Sequence, residues 1–313
     1  MDAVAITLYD KFDQINVLVD IFRNEFESSY HIVICSNHEE GQAQLDQRDI
    51  PYDRYVQGGR IDYHPSMGER GDINLKARIF DSVCLSCRAA LENEEVETVT
   101  HLHADAWPLS EESFESLRDG LEESGNELAV RGHGFEWRTP ACPVGQVMDQ
   151  FFIADADFAR KSSLFDVDAL TYLPHYSIHN MFFLLFLIKG GVEHIWWYSH
   201  MNDDLQWDNS TTNLPYTGVR PGIYNPKWDF LHIATDEFPQ SLGKSVQAYH
   251  LKNTGPWDSD VVNRYIETHF VEDVFSKLEA YEQNLESKMR KRGLVPERWG
   301  REFSKMECKL DEV

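Results

Sequence analysis

The chain has 313 residues, 42% apolar and 12% aromatic, enough to bury a sizeable core in one large domain or two small ones without disulfide or metal staples. Its formal net charge of −24 would repel a phosphate backbone, so no nucleic-acid partner is expected. The acid is spread along the chain rather than collected in a tail; a self-repelling soluble surface and a surface adapted to molar salt both fit that pattern. Met1–Asp10 carries acids and no basic leader region. The longest apolar run, Met181–Ile188, is far short of the roughly 20 residues that span a bilayer. Cys35, Cys84, Cys87, Cys142 and Cys308 form no framework, and the single Cys84-x-x-Cys87 pair reads better as buried thiols on one helix face than as half a zinc site. A cytoplasmic protein follows.

In chain order, Val4–Leu8 reads as a buried strand and Phe12–Phe26 as an amphipathic helix with Ile15, Leu18, Val19 and Phe22 on one face. His31–Cys35 is a second strand. Ile50–Gly71 is polar and Gly-containing, and reads as an irregular loop. Asn74–Leu91 returns to helical period, Val99–His103 is a third strand, Ser110 opens a capped helix with an acidic first turn, and Glu127–Arg131 is a fourth strand. Further on come a short strand Phe151–Ile153, an apolar helix Asn180–Ile188 closed by Lys189-Gly190-Gly191, and strands His194–Tyr198 and Leu231–Ala234. Asn202–Trp228 is a long polar loop, and Ser259–Arg292 a long helix ending in Lys288, Arg290, Lys291 and Arg292. Strand–helix alternation predicts an α/β protein with a mainly parallel central sheet flanked by helices.

In such a sheet ligands bind outside the carboxyl ends of the strands. That rule selects Tyr9–Asp10, Ser36–Asn37 and His103–Asp105. Gly71-Asp72-Ile73-Asn74-Leu75-Lys76-Ala77-Arg78, the helix to Leu91, and then Thr100-His101-Leu102-His103-Ala104-Asp105-Ala106-Trp107 resemble nucleotide-sugar glycosyltransferases of the GT-A fold. There a Gly-rich loop and an Asn/Arg-bearing helix lead to a strand that ends in Asp-x-Asp. The resemblance covers roughly residues 3–200 in order of elements. It implies a nucleotide-diphospho-sugar donor and a divalent ion, Mn²⁺ or Mg²⁺, bridging the diphosphate and stabilising the charge that develops on it. Here His103 stands where the family usually has its first Asp, and Asp105 at the second.

By the same resemblance, Asp105 is the principal metal ligand and catalytic residue, with His103 and His232 as further ligands. Tyr9 would stack on the base, Asp10 and Asn37 would accept from base or ribose, and Arg78 and Lys244 would meet the phosphates. Packing, capping and ordinary surface charge are the plain alternatives for each. The Glu-Asp that supplies a base in inverting members is absent; Tyr176-Ser177-Ile178-His179-Asn180 stands there, leaving His179 or His175 as the candidate general base, unless the enzyme retains configuration and needs no separate base. Trp207, in the polar loop beside Asp203, Asp204 and Asp208, is a candidate sugar contact.

The domain expectation is a transferase domain over residues 1–258, with a nucleotide-binding half 1–131 and an acceptor-side half 132–258, followed by a helical extension 259–313. The acceptor would be a glycan or a lipid-linked sugar. The basic end of the last helix would make at most a weak peripheral contact with anionic lipid at the inner face of a membrane. The rivals are a sugar-1-phosphate nucleotidyltransferase, whose longer basic Gly-rich signature is missing from Tyr9-Asp10-Lys11-Phe12, and a non-catalytic nucleotide-sugar-binding module.

Overall fold

A continuous apolar run near the N-terminus forms an inner strand of a seven-stranded sheet. The computed structural model describes residues 1–59, 72–133, 146–168, 178–200, 224–225, 230–232 and 257–269. Strand β1 (Asp2–Leu8) lies between β2 (Tyr30–Ser36) and β4 (Thr98–His103), parallel to both. β3 (Arg54–Gln57) adds in parallel at the outer edge of β2. β5 (Ala106–Pro108) is a short strand after β4. β6 (Leu128–His133), β7 (Gln146–Asp155) and β8 (Ile195–His200) complete the order β3-β2-β1-β4-β7-β6-β8. Only β7 runs against its neighbours. This is the mainly parallel α/β sheet that the sequence predicts.

Helices cover both faces. Along β7, Phe151 and Phe152 point to opposite sides, as adjacent strand residues must. Phe151 meets Phe114 of α4 (Glu111–Ser124) at 6.4 Å between ring centres, and Phe152 meets Phe182 of α6 (Ile178–Leu185) at 6.0 Å. α1 (Phe12–Asp20) brings Ile15, Leu18 and Val19 to the core and continues as a π-helical turn, Ile21–Glu25, whose Phe22 packs on Phe114. α3 (Asp72–Leu91) packs on β1 and β2. The short helices α2 (Gly41–Gln47) and α5 (Ala156–Lys161) fill the connections. The apolar helix α6 runs into a π-helical turn, Phe186–Gly190, and Gly191 ends it at φ +103°, a conformation that favours glycine.

Two expectations need correction. The region 50–71 is not all irregular, since Arg54–Gln57 is a strand; its half-exposed edge position carries polar residues and no apolar run. The predicted Phe151–Ile153 strand is ten residues long, because Asp149 sits among its buried positions and breaks the apolar pattern.

Cys84 and Cys87 share the inner face of α3 as buried free thiols, and Cys35 is buried on β2. Burial pushes the Cys35 thiol up to about 12 and raises those of Cys84 and Cys87 as well. At about pH 8 these three should resist iodoacetamide in the native protein and react once it is unfolded, because the thiolate is the nucleophile. Peptide mapping that finds native labelling at Cys84 or Cys87 contradicts this burial.

The Ser110 cap is present: its Oγ accepts from the Ser113 N–H at 3.2 Å. Glu111 in the same turn accepts from the N–H groups of Glu27 at 2.6 Å and Ser28 at 2.8 Å, tying α4 to the turn before β2. Burial acts to raise the Glu111 carboxyl, but those N–H donors outweigh it and hold the group below its ordinary value of 4.5. A depressed folded value means that the stabilisation is present above 4.5 and is lost as pH falls through the folded value. Glu111→Gln should therefore cost about 1 kcal/mol at neutral pH, a figure discounted for solvent screening. Urea melts should show the gap closing as the solution is acidified; a constant gap rules out this role.

The chain divides into two units, Met1–Asp204 with Lys227–Phe230, and Leu205–Pro226 with Leu231–Val313. In the second, the helix Asp260–His269 begins where the sequence predicts. Ser259 Oγ accepts from the Val262 N–H at 3.1 Å, and the Asn263 amide holds both the N–H and the carbonyl of Trp257. The predicted continuation of this helix to Arg292, with its basic end, lies outside the described residues. Among the described residues no helix is long and apolar enough to cross a membrane.

Candidate active site

Parallel strands β1, β2 and β4 end together, so the residues that follow them share one edge of the sheet. Thr7 pairs with both Cys35 and His103, and the Ala104 N–H donates to the Thr7 carbonyl at 3.0 Å. Because β7 runs the other way, with Phe151 opposite Leu102, its early residues, Asp149 among them, lie at this same edge.

Tyr9, just past β1, is 55% exposed, an uncovered aromatic face at a strand end. Its ring lies 5.6 Å from that of His38, which in turn meets Phe12 edge-on. Asp10 is exposed beside it. Asn37, past β2, braces the crevice: its Nδ2 donates to the Gly59 carbonyl at 2.8 Å, and its Oδ1 accepts from Ser82 Oγ of α3. A Cβ on Gly58 would lie 2.5 Å from Asn37 Nδ2, so this turn needs glycine to approach so closely. Asn74, Arg78 and Ser82 recur every four residues and share one face of α3. The Ser82–Asn37 bond turns that face towards the end of β2.

Past β4, Asp105 is almost wholly buried, with 2% of its side chain exposed, and its Oδ2 lies 2.5 Å from Lys11 Nζ. His103 Nε2 lies 3.9 Å from Asp149 Oδ2. Asp149 Oδ1 lies 3.0 Å from His179 Nε2 on the first turn of α6. A carboxylate can only accept, so His179 Nε2 donates, and in the neutral imidazole Nδ1 then carries the lone pair. Burial acts to raise Asp149, but the hydrogen bond from His179 and the electrostatic attraction of the neighbouring His103 and His179 rings outweigh it and hold the carboxyl well below the usual range. His101 lies beneath, both ring nitrogens 3.0 Å from carbonyl oxygens, those of Ala5 and Asp149. That geometry would suit an imidazolium. Burial, aided by neighbouring His103, outweighs it and pushes His101 down to about 3, so at neutral pH only one of these contacts is a hydrogen bond.

The structure thus brings Tyr9, Asp10, Asn37, His103, Asp105 and His179 to one end of the sheet, with Arg78 on the helix beside it. His232 ends a strand, Phe230–His232, and belongs to the second unit; its side chain, with Lys244 and Trp207, lies outside the described residues. Two residues of the site were not singled out from sequence. They are Asp149, on β7, and Lys11, just after β1.

Asp105 and His103 have donor atoms of the kinds that Mn²⁺ accepts. Among the described residues, however, no three His, Cys, Asp or Glu side chains gather into a group that could hold a metal ion, and a lysine already compensates Asp105. The side chain of the third expected ligand, His232, lies outside the described residues.

No protein-family model matches the chain, and no curated protein matches it. Many solved structures resemble part of it, among them the following two. One is 4-diphosphocytidyl-2C-methyl-D-erythritol synthase from Anaerococcus prevotii, 12% identical with a TM-score of 0.40, over 64% of this chain and 86% of that one. The other is glucosyl-3-phosphoglycerate synthase from Mycobacterium tuberculosis, solved with Mn²⁺, UDP and glucosyl-3-phosphoglycerate, 12% identical with a TM-score of 0.36, over 64% of this chain and 69% of that one. Likenesses this distant carry no argument; the strand order and directions carry the architecture.

Proposed function

We propose that the protein transfers a sugar from a nucleotide-diphosphate donor to an acceptor hydroxyl, with His179 as general base. The observation that carries this reading is the Asp149–His179 pair at the carboxyl edge of the sheet. An imidazole whose Nε2–H is fixed on a buried carboxylate presents Nδ1 as a proton acceptor, the arrangement general-base catalysis needs. Asp149 keeps 5% of its side chain exposed and His179 keeps 15%, so the histidine is the member that can reach a substrate.

The chemistry follows from those positions. The acceptor oxygen attacks the anomeric carbon of the donor sugar as His179 Nδ1 takes its proton. The bond from that carbon to the diphosphate oxygen breaks, and the nucleoside diphosphate leaves with the electron pair. One displacement inverts the anomeric centre. Exposed Tyr9 at the end of β1 suits stacking on the base, and Arg78, on the α3 face turned to β2, suits the phosphates. A divalent ion, if bound, would stabilise the leaving diphosphate. The glycan or lipid-linked acceptor and a contact of Lys244 with phosphate remain part of the same proposal.

Incubation with a panel of uridine, guanosine, cytidine and adenosine diphospho-sugars tests it. Nucleoside diphosphate should be released from donors of one base, and His179→Asn should slow release by about a hundredfold or more without weakening nucleotide binding. Pyrophosphate release from a nucleoside triphosphate and a sugar phosphate would identify a nucleotidyltransferase instead. Tight nucleotide binding with no turnover would identify a binding module.

A further inference from the structure

We propose that Lys11, not a divalent ion, is the cation that Asp105 holds at the strand ends, and that Lys11 meets the donor diphosphate there; this rests on the donor class proposed above. The resemblance in the sequence puts a metal on Asp105, and the side chains put an ammonium there. Lys11 Nζ lies 2.5 Å from Asp105 Oδ2. The two residues follow adjacent parallel strands, β1 and β4, which pair at this edge as Thr7 with His103. The pair therefore bridges the middle of the edge at which Tyr9, Asn37 and His179 also sit.

Burial decides which partner faces the ligand. Asp105 keeps 2% of its side chain exposed and Lys11 keeps 24%. The carboxylate is thus the inner member, and the ammonium lies between it and solvent. A buried carboxylate is strongly destabilising without a cation, and Lys11 meets that need with no ion from solution. An ammonium carries three donors on one nitrogen, so it can keep Asp105 and point at a phosphate oxygen at once, acting as a point charge. A divalent ion entering here would have to expel that ammonium. The positive charge that a leaving diphosphate requires is then built into the chain, and the protein holds its nucleotide in a chelator.

Calorimetric titration of the full-length protein with UDP, GDP, CDP and ADP, each in EDTA and in millimolar Mn²⁺, tests this. The nucleotide that binds should do so with affinities within tenfold of each other in the two buffers. Lys11→Met should lose more than tenfold in both, and Lys11→Arg should recover most of the loss. Binding more than tenfold tighter in Mn²⁺ overturns the inference while leaving the transferase reading in place. Wild-type affinity in a folded Lys11→Met protein overturns it equally. If circular dichroism shows that Lys11→Met does not fold, the comparison of EDTA with Mn²⁺ on the wild type decides alone. If no nucleoside diphosphate binds in either buffer, the transferase reading fails and this inference fails with it.

Discussion

Asp149→Asn should lower turnover by about a hundredfold to a thousandfold while the protein stays folded. A positioned general base contributes roughly 10²–10⁴ in rate, and His179 is positioned by this one carboxylate, at 3.0 Å. An amide in the same place can offer either an oxygen or an NH₂ to Nε2. The tautomer with its lone pair on Nδ1 is then no longer enforced, and no negative charge remains to stabilise the imidazolium that forms. The amide nearly matches the carboxylate in size, so packing against β4 and α6 survives. Asp149→Ala is the harsher change, because it leaves His103 and His179 facing a buried void. Breaking a buried pair in that way costs about 3–5 kcal/mol. A purely structural Asp149 would show its loss in the melting curve and leave kcat alone. The expected signature of the Asn variant is the reverse: kcat falls, KM for the acceptor hardly moves, and the melting curve shifts little. A kcat within twofold of wild type removes His179 from the mechanism.

The crevice was legible in the sequence for a simple reason. β1 and β2 carry unbroken buried apolar runs, Ala3–Ile6 and Ile32–Cys35, and β4 keeps Val99 and Leu102 buried between Thr and His, so these strand ends are marked where polarity and turn residues resume. Tyr9, Asn37 and Asp105 were found that way. β7 was not, and the cause is physical. Its buried positions include Val147, Asp149 and Phe151, and an acid at a buried position makes a strand look like a loop until the histidines beside it are seen. Those histidines come from β4 and α6, remote in sequence. Lys11 was missed for a related reason. A lysine three residues past a strand reads as solvated charge, and only the parallel pairing of β1 with β4 brings it to Asp105, 94 residues away. In both cases the local pattern fails where a polar group is buried against a distant partner, which is where functional groups are expected to break local rules.

Phe152→Ala should be the most damaging single change to the fold of the first unit. The ring is fully buried on β7 and touches four others: Phe165 stacked at 5.9 Å, Phe182 at 6.0 Å, Phe186 edge-on at 5.1 Å and His101 at 5.0 Å. Truncating a buried Phe costs about 3–5 kcal/mol, from lost transfer energy and from the cavity that the neighbours cannot close. The upper half of that range is expected, because the neighbours sit on three different elements. α6 with the turn after it carries two of them, and β4 carries His101, so no one segment can relax into the space. Phe151→Ala, one residue away on the other face, should cost less. Phe151 keeps 5% exposure, and its neighbours Phe114, Tyr198 and Phe230 lie 5.5 Å or more from it. The two variants differ in their effect on the site as well. Phe152 supports the His101 ring, which lies under Asp149, and packs on the helix that carries His179. Its loss should therefore reduce kcat even at temperatures where the protein remains folded, whereas Phe151→Ala should leave kcat near wild type. Urea unfolding of both variants checks the ranking. A loss below about 1.5 kcal/mol for Phe152→Ala would mean that the aromatic layer between β7 and α6 can collapse into the space, and Asp149 and His179 could not then rest on a rigid support.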